Sequence, residues 1–408
     1  MHFEPVWREL THDGLLLFLT RFLRLFAYGA LSVVLVLYLT GIGLSEVQTG
    51  TLLTLTLLGD TAVSLWLTTR ADWIGRRRML IVGAFLMASA GLAFALTRNY
   101  LFLVIAGTVG VISPSGNEVG PFLPIEQAAL AQVTAPARRT DVFAWYTLAG
   151  ALATAAGALS AGLIASSVEH SASAVTGGRT VIFGYAAMGL VLALVFGRVS
   201  RAVEAPAPPA ALRFGLGASR GVVLRLAGLF ALDAFGGGFV VQSFAAYWFH
   251  LRFHVEPAGL GGIFFGANLF AAVSALLASR IAARIGLVRT MVFTHLPSNI
   301  LLILVPLMPD LRLAIIVLLL RFSISQMDVP TRQSYTMAIV RPEERSAAAG
   351  VTGVARTTGA ALAPVFAGYL FSKPGWIDVP FFLAGGLKIV YDLLLYRAFV
   401  RLPPPEEH

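Results

Sequence analysis

Twelve stretches of about 20 mainly apolar residues follow one another along the chain, and they constrain its fold more than any other feature. An α-helix needs roughly 20 such residues to cross the hydrocarbon core of a bilayer. The alternating apolar pattern of a membrane β-barrel is absent from the sequence. We therefore predict an all-α membrane protein whose helices span about residues 15–39, 47–69, 79–97, 99–122, 142–164, 180–198, 222–247, 258–280, 288–308, 311–331, 346–370 and 379–400.

The composition agrees with a chain that lipid surrounds. Of the 408 residues, 57% are hydrophobic and 12% are charged, whereas soluble domains have about 25% charged residues. The net charge of +9 does not indicate a nucleic-acid partner, because the arginines are scattered over the connections between spans. The chain has no cysteine, so disulfides and thiolate metal ligands are excluded.

The basic residues predict how the helices are oriented, because arginine and lysine are retained on the cytoplasmic side of a membrane. Arg70, Arg76, Arg77 and Arg78 follow the second predicted helix, whereas the next connection contains only Arg98. The same asymmetry continues along the chain, so both termini are expected in the cytoplasm. The N-terminus lacks the pattern of a cleavable signal. We expect an integral protein of a bacterial inner membrane that works as a monomer.

The sequence repeats itself at nearly constant offsets, which indicates a duplicated architecture. We therefore predict an N-terminal six-helix bundle at residues 1–200, a cytoplasmic proline-rich linker at 201–221 and a C-terminal six-helix bundle at 222–408. Parallel repeats of this kind are typical of transporters. The matched positions are Gly75 with Gly286 and Gly50 with Gly261, each 211 residues apart, Glu118 with Asp328, 210 apart, and Pro136 with Pro342, 206 apart.

The stretch ADWIGRRR, residues 71–78, interrupts two long apolar runs with concentrated charge. It resembles the signature of the major facilitator superfamily between helices 2 and 3, which is Gly, three variable residues, Asp, a base, one residue, Gly, Arg and a base. The resemblance implies twelve helices in two pseudo-symmetric six-helix bundles around a central cavity. It also implies a secondary transporter working by alternating access, with no enzyme activity and no cofactor. Asp72, Gly75, Arg76 and Arg77 match the signature, whereas Thr68 and Trp73 depart from it.

The signature acid is understood to latch the two halves together on the cytoplasmic side. By resemblance, Asp72, Gly75, Arg76 and Arg77 form one side of this conformational latch. Asp72 is then expected near Arg345 and Ser346 at the start of helix 11, and Arg76 near Asp72 or near two acids of that connection, Glu343 and Glu344. The alternative is that the arginines only anchor the connection in the cytoplasm, and we assign Arg78 to that role.

Several ionisable residues lie inside the predicted spans, where each costs about 2.5–3.5 kcal/mol on insertion scales. They either neutralise one another as structural pairs, for example Arg24 with Glu118 or Asp60, or line a hydrated cavity. Asp60 is expected to contact helix 1, and His295 to be structural. The embedded set contains four acids and four arginines: Asp60, Glu118, Asp233, Asp328, Arg21, Arg24, Arg321 and Arg356.

The resemblance places helices 1, 4, 7 and 10 at the cavity, and most of these charges lie on those helices. A carboxyl group in such a cavity is suited to proton exchange, so the proton-coupling candidates are Glu118, Asp233 and Asp328. Polar and aromatic groups that could contact an organic substrate complete the site. The substrate-cavity candidates are Arg21, Arg24, Tyr28, Asn117, Gln242, Arg321, Gln326 and Arg356.

Three functions remain open at this point. Proton-coupled efflux of a small organic or drug-like compound is the first, favoured by the latch motif and the embedded acids. Uptake or exchange of an organic anion is the second, favoured by the deep arginines, and a non-transporting sensor or scaffold is the third. No phosphate-binding loop or metal-ligand spacing occurs in the sequence, so the expected partners are a small-molecule substrate, protons and the bilayer. The Pro- and Gly-rich segment SPSGNEVGPFLP, residues 113–124, predicts a break in helix 4.

Overall fold

The computed structural model describes residues 10–116, 120–135, 138–204, 217, 219–341 and 344–402. Asn117, Glu118, Pro136, Pro342, Glu343 and the side chain of Ser346 lie outside the described part, as does most of the expected linker. No β-strand occurs in the described ranges. The prediction of an all-α protein is confirmed.

The described residues of the first half contain seven α-helices, followed by a short 3-10 helix at Arg201–Val203. The fourth predicted span is split into two of them. The helices are α1 (His12–Gly41), α2 (Glu46–Ile74), α3 (Arg76–Leu96), α4 (Tyr100–Val109), α5 (Phe122–Gln132), α6 (Arg139–Glu169) and α7 (Ala174–Arg198).

Eight α-helices lie in the part of the second half that the structure describes, with a 3-10 turn at Val305–Leu307 after the fourth. Ten segments of the described chain are long and apolar enough to cross a membrane, and Tyr100–Val109 is a shorter apolar helix. The helices are α8 (Arg220–Gly238), α9 (Gln242–Phe253), α10 (Pro257–Ile285), α11 (Leu287–Leu304), α12 (Leu311–Ser325), α13 (Asp328–Ala338), α14 (Arg345–Phe371) and α15 (Val379–Phe399).

Three of the predicted spans are broken rather than continuous. The break expected in helix 4 is confirmed, since α4 ends at Val109 and α5 begins at Phe122. The seventh and tenth spans were predicted as single helices, and those predictions are wrong. The seventh is interrupted after three consecutive glycines, Gly236 to Gly238, which weaken a helix by about 1 kcal/mol each. The tenth is interrupted at Gln326 and Met327 and then continues to Ala338, well past the predicted end at 331.

The helices form two compact units. The first comprises Met1–Leu44, Leu55–Ala211 and Val255–Phe265, and the second comprises Ser45–Thr54, Leu212–His254 and Gly266–His408. In the first unit, α1 packs on α6 and α7, and α3 packs on α7. In the second, α8 packs on α14 and α15, and α11 packs on α15. The helix-packing pattern is therefore the same in both units.

Matching local contacts confirm the internal duplication. Gly75 and Gly286, 211 residues apart, each precede a helix and have φ angles of 113° and 87°, values that favour glycine. The Nε of Arg139 donates to the Ala131 carbonyl oxygen at 3.1 Å. The Nε of Arg345 donates to the Met337 carbonyl oxygen at 2.9 Å. Both partners of this second contact lie 206 residues after those of the first.

Glycines allow two related helix crossings in which backbones nearly touch. A Cβ added to Gly162 of α6 would lie 2.9 Å from the Cα of Gly261 in α10. In the second unit, a Cβ added to Gly50 of α2 would lie 3.0 Å from the Cα of Gly368 in α14. Small residues at such crossings allow membrane helices to pack by van der Waals contact.

The Gly261 crossing can be tested with a neighbour on the same helix. A Cβ on Gly261 would lie 2.8 Å from the Ala158 carbonyl oxygen, whereas one on Gly262 would meet nothing within 4 Å. Gly261→Ala should destabilise the protein by about 1–3 kcal/mol through overpacking. Gly262→Ala should be neutral or stabilise it by up to about 1 kcal/mol, because alanine favours a helix. Thermal unfolding of the purified protein measures both, and equal effects would contradict the crossing.

Candidate functional site

The first unit contains a fully buried ion pair between α1 and α5. Arg24 Nη1 and Nη2 donate to Glu126 Oε1 and Oε2 at 2.7 and 2.8 Å, and both side chains are inaccessible to solvent. Thr20 Oγ1 also donates to Glu126 Oε1, at 2.9 Å, and the Tyr146 hydroxyl of α6 donates to Oε2. Such two-pronged geometry suits arginine and carboxylate. Glu126 was not among the predicted site residues, because the fourth helix was expected to end at 122.

Two further residues of α1 that were expected in a cavity are held by neighbouring helices. Arg21 Nε donates to the Tyr146 carbonyl oxygen at 2.8 Å, and its guanidinium carbon lies 4.4 Å from the Tyr146 ring centre. Gly150 leaves room for this guanidinium, because a Cβ there would lie 2.7 Å from Arg21 Nε. Tyr28 is fully buried and stacks on Tyr185 of α7 at 6.3 Å between ring centres. Each of these contacts ties α1 to another helix.

Asp60 of α2 contacts the broken fourth span. Its Oδ2 accepts a hydrogen bond from the Gly120 backbone N–H at 3.0 Å. Gly120 has a φ angle of 84°, so the contact holds a backbone conformation that favours glycine. This hydrogen bond joins α2 to the segment before α5, and the expected contact of Asp60 with helix 1 stays a prediction.

The second unit contains a larger buried network centred on Asp233 of α8. Lys388 Nζ of α15 donates to Asp233 Oδ1 at 2.6 Å. Arg332 Nη1 of α13 lies 3.2 Å from Asp233 Oδ2 and 3.0 Å from Asp328 Oδ2. All four side chains are buried. The predicted acids Asp233 and Asp328 are therefore brought together by Arg332, which the sequence analysis did not single out.

The network extends to α11 through a histidine. His295 Nε2 lies 3.7 Å from Asp233 Oδ1, and His295 Nδ1 lies 2.8 Å from Asp392 Oδ1. Asn299 Nδ2 donates to Asp392 Oδ2 at 2.9 Å. Lys388 and Asp392 stand four residues apart inside the predicted last span, and charge in an apolar helix was the signal that could have identified them.

The two ion pairs occupy equivalent positions with their charges exchanged. Gly29 of α1 crosses close to the backbone of Thr154, and Gly238 of α8 crosses close to the backbone of Ala360. These matching crossings place equivalent residues of α1 and α8 209 positions apart in the sequence. Arg24 then corresponds to Asp233. With the 206-residue offset of the following helices, Glu126 corresponds to Arg332. Each unit therefore joins its first helix to its broken fourth span by a buried pair, with the cation on opposite partners.

The remaining cavity candidates of the second unit are Gln242 on α9, Arg321 on α12, Gln326 directly after α12, and Arg356 on α14. Arg321 and Arg356 are half-buried, and neither forms an ion pair within the described residues; the Arg321 guanidinium carbon lies 4.8 Å from the Phe322 ring centre. Gln242 Oε1 accepts from Asn268 Nδ2 at 3.3 Å. The backbone N–H of Gln326 donates to Ser274 Oγ at 3.3 Å.

The charged stretch between α2 and α3 forms a local network in the first unit. Arg76 Nε donates to Asp72 Oδ1 at 2.7 Å, one of the pairings expected from the sequence. Glu204 Oε2 and Oε1 accept from the backbone N–H groups of Arg76 and Arg77 at 2.6 and 3.3 Å. An acid at this place neutralises the positive end of α3. Glu204 is a further residue that the sequence analysis missed.

Glu344, in the connection before α14, caps the start of α8. Its Oε1 and Oε2 accept from the backbone N–H groups of Gly217 and Ser219 at 2.7 and 3.1 Å. The Ser219 hydroxyl and these two amides favour the ionised carboxylate, so the pKa of Glu344 is lowered from its ordinary value. These partners belong to the same unit as Glu344.

A family model described as the Major Facilitator Superfamily matches residues 17–326 and 226–408. The chain belongs to the major facilitator superfamily. It is a transporter and not an enzyme, and its helices fit the twelve-helix, two-bundle architecture of that family. It is also 30% identical over 424 residues to the Uncharacterized membrane protein YJR124C of Saccharomyces cerevisiae, covering 96% of this chain and 94% of the relative.

Solved transporter structures share this fold at low sequence identity. A nucleoside transporter, NupG, superimposes with a TM-score of 0.75 at 13% identity, covering 95% of this chain and 99% of that one. A bacterial homolog of the human lysosomal transporter Spinster, inward-facing and occupied, gives a TM-score of 0.74 at 17% identity with 98% of each chain covered. The human organic anion transporter MFSD10 gives 0.63 at 17% identity, covering 96% of this chain and all of that one. These likenesses establish the fold.

The buried pair of the first unit should dominate local stability. Glu126→Gln leaves Arg24 without its carboxylate, and breaking a buried pair costs about 3–5 kcal/mol. Asp141→Asn removes an exposed pair with Arg138, 3.6 Å apart, which should cost about 1 kcal/mol or less. Thermal unfolding compares the variants, and an equal loss in both would show that the buried pair has no special weight.

The lowered pKa of Glu344 predicts a pH-dependent contribution to stability. A carboxylate whose pKa is lower in the folded state stabilises the protein above its unfolded pKa, about 4.3. This contribution is lost as the pH falls through the folded value. Glu344→Gln should therefore lower Tm at about pH 7 and converge with the wild type in acid. Glu256→Gln, at an exposed position before α10, is the control; a Glu344→Gln deficit that persists unchanged in acid would refute the assignment.

Proposed function

We propose that this chain is a proton-coupled secondary transporter that exports a small organic compound by alternating access. The observation that carries the proposal is the Asp233 network, in which one buried carboxylate contacts Lys388 and Arg332 and lies 3.7 Å from His295. Ionisable groups inside a membrane protein are costly and mark transport pathways and proton relays. One proton entering or leaving this network changes which cation–anion contacts are favourable, and this can couple protonation to helix movement.

The embedded acids and the charged signature at residues 71–78 support export over uptake in this proposal. Asp72 acts as a latch against the start of α14 in one state of the transport cycle. When this latch is open, the ion pair with Arg76 keeps the Asp72 side chain in position. The arginine-rich connections lie in the cytoplasm together with both termini. Residues 1–200 and 222–408 move as the two halves, joined by the linker at 201–221.

Exchange or uptake of an organic anion is a second candidate, and a specific observation favours it. Arg321 and Arg356 have no ion-pair partner within 4 Å in the described ranges, and each has a buried Nε without a hydrogen-bond partner. Arginine presents several N–H donors in the geometry that a carboxylate or phosphate needs. Under this candidate, the two arginines supply the substrate-binding charge.

The deciding experiment begins with a thermal-shift screen of neutral, cationic and anionic organic compounds against the purified protein. Each stabilising compound is then tested in liposomes for counterflow and for flux driven by an imposed pH gradient. Proton-coupled transport predicts that Asp233→Asn abolishes gradient-driven flux while counterflow persists. Asp141→Asn, at an exposed position, should behave like the wild type.

The outcomes separate the candidate functions. Organic-anion exchange is favoured if flux does not depend on the pH gradient and if Arg321→Gln and Arg356→Gln lose anion binding. If no compound stabilises the protein and no gradient drives flux, the proposal of proton-coupled export fails. Gradient-driven flux that survives Asp233→Asn refutes coupling through the Asp233 network.

A further inference from the structure

A histidine, an asparagine and an aspartate form a hydrogen-bonded cluster between α11 and α15. His295, Asn299 and Asp392 are 5%, 0% and 0% exposed. These helices are the ninth and twelfth spans, outside the four that the family resemblance places at a cavity. The cluster nevertheless lies close to Asp233, because His295 Nε2 is 3.7 Å from Asp233 Oδ1.

The hydrogen bonds define which nitrogen of His295 is free to bind a proton. An ionised carboxylate only accepts hydrogen bonds, so with Asp392 ionised His295 Nδ1 donates across the 2.8 Å contact. Asn299 Nδ2, which also lies 3.1 Å from Nδ1, then donates to Asp392 Oδ2 at 2.9 Å. In the neutral ring, Nε2 is then the basic nitrogen. Nε2 lies 3.7 Å from Asp233 Oδ1, too far for a direct hydrogen bond.

Lys388 already binds the carboxylate oxygen that Nε2 faces. Its Nζ donates to Asp233 Oδ1 at 2.6 Å, whereas Arg332 contacts the other oxygen, Oδ2, at 3.2 Å. A proton on Nε2 would therefore place a second cation beside the Lys388 contact. Two cations on one carboxylate oxygen repel each other, which weakens the hold of each.

We propose that His295 is a proton-binding site whose protonated form competes with Lys388 for Asp233. This inference rests on the proposed proton-coupled function and assigns the proton to a residue of α11. A hydronium ion transfers its proton to His295 Nε2: one O–H bond breaks, one N–H bond forms, water leaves, and the network gains one positive charge. The new N–H turns toward Asp233 Oδ1 and loosens α15 from α8 at Lys388.

The duplicated helix pair in the first unit shows that the fold itself does not need this cluster. With the 211-residue offset of α3 and α11, His295 and Asn299 correspond to Ala84 and Ala88. Both alanines are buried, and a Cβ on Gly189 of α7 would lie 2.7 Å from the Ala88 backbone nitrogen. Small apolar residues therefore suffice to pack this pair of helices, so helix packing alone does not explain the polar cluster in the second unit.

The charged surroundings of His295 are confined to a few helices. Within the described residues, Arg321 and Arg356 form no ion pair with this network. The titratable and charged groups that face the network are Asp392, Lys388 and Tyr391 from α15, Asp233 from α8, Arg332 and Asp328 from α13, Arg321 from α12 and Arg356 from α14.

The test needs no substrate and follows the imidazole directly. The chain has seven histidines, so a variant with the other six changed to Gln leaves His295 as the single 15N-labelled histidine for NMR in lipid nanodiscs. We expect the Nδ1–H tautomer at about pH 8 and the imidazolium at about pH 5. A ring that keeps one neutral form throughout, or that carries its neutral proton on Nε2, would overturn the proposal.

Wild-type background variants guard against a folding failure of the multiple variant. In the 15N-labelled wild type, the signals that are absent from His295→Gln should change from the Nδ1–H form to the imidazolium between about pH 8 and about pH 5. His250→Gln, at a half-buried position on α9, should leave those signals in place. Signals that keep one neutral form over this range overturn the proposal.

The outcomes also distinguish this proposal from the proposed function. If His295 changes charge but wild-type liposomes show no gradient-driven flux, the proton site stands and proton-coupled transport fails. If gradient-driven flux is present and the His295→Gln variant retains it in full, coupling operates without this residue and the inference fails.

Discussion

Buried charge in this lipid-surrounded chain is costly unless it is paired, and this cost determines where ion pairs join the helices of each unit. An unpaired ionisable side chain costs several kcal/mol in hydrocarbon. Arg24 meets Glu126 in the first unit, and Asp233 meets Arg332 in the second. Because removing one partner costs more than the pair gains, each contact fixes the position of a first helix against a broken fourth span.

The duplication makes the differences between the units informative. Equivalent positions hold an ion pair in both, with the charges exchanged, so the fold needs one cation and one anion there in either order. In the first unit, the hydroxyl groups of Thr20 and Tyr146 donate further hydrogen bonds to the Glu126 carboxylate. The second adds Lys388, His295 and Asp392. Within the described residues, the pair of the second unit is therefore surrounded by ionisable groups, whereas the hydrogen bonds added to the pair of the first unit come from hydroxyl groups.

The sequence predicted most of the architecture but few of the partners. Apolar length identified the spans, glycine and proline identified the break before α5, and equal offsets identified the repeat. The four-residue spacing of Asp72 and Arg76 indicated their contact. Glu126 and Arg332 were missed because the fourth and tenth spans continue beyond a break, and apolar length ends at such a break. His295 and Asp392 lie 97 residues apart, and no local pattern encodes a contact over that distance.

Distances between spin labels at opposite ends of α2 and α10 test most directly whether protonation drives alternating access. The chain has no cysteine, so cysteines at Arg70 and Arg280 label one end, and cysteines at Ser45 and Glu256 label the other; all four positions are exposed. On changing from about pH 8 to about pH 5, where histidine gains its proton, one distance should shorten while the other lengthens. Two distances that remain unchanged, or that change in the same direction, would contradict the account.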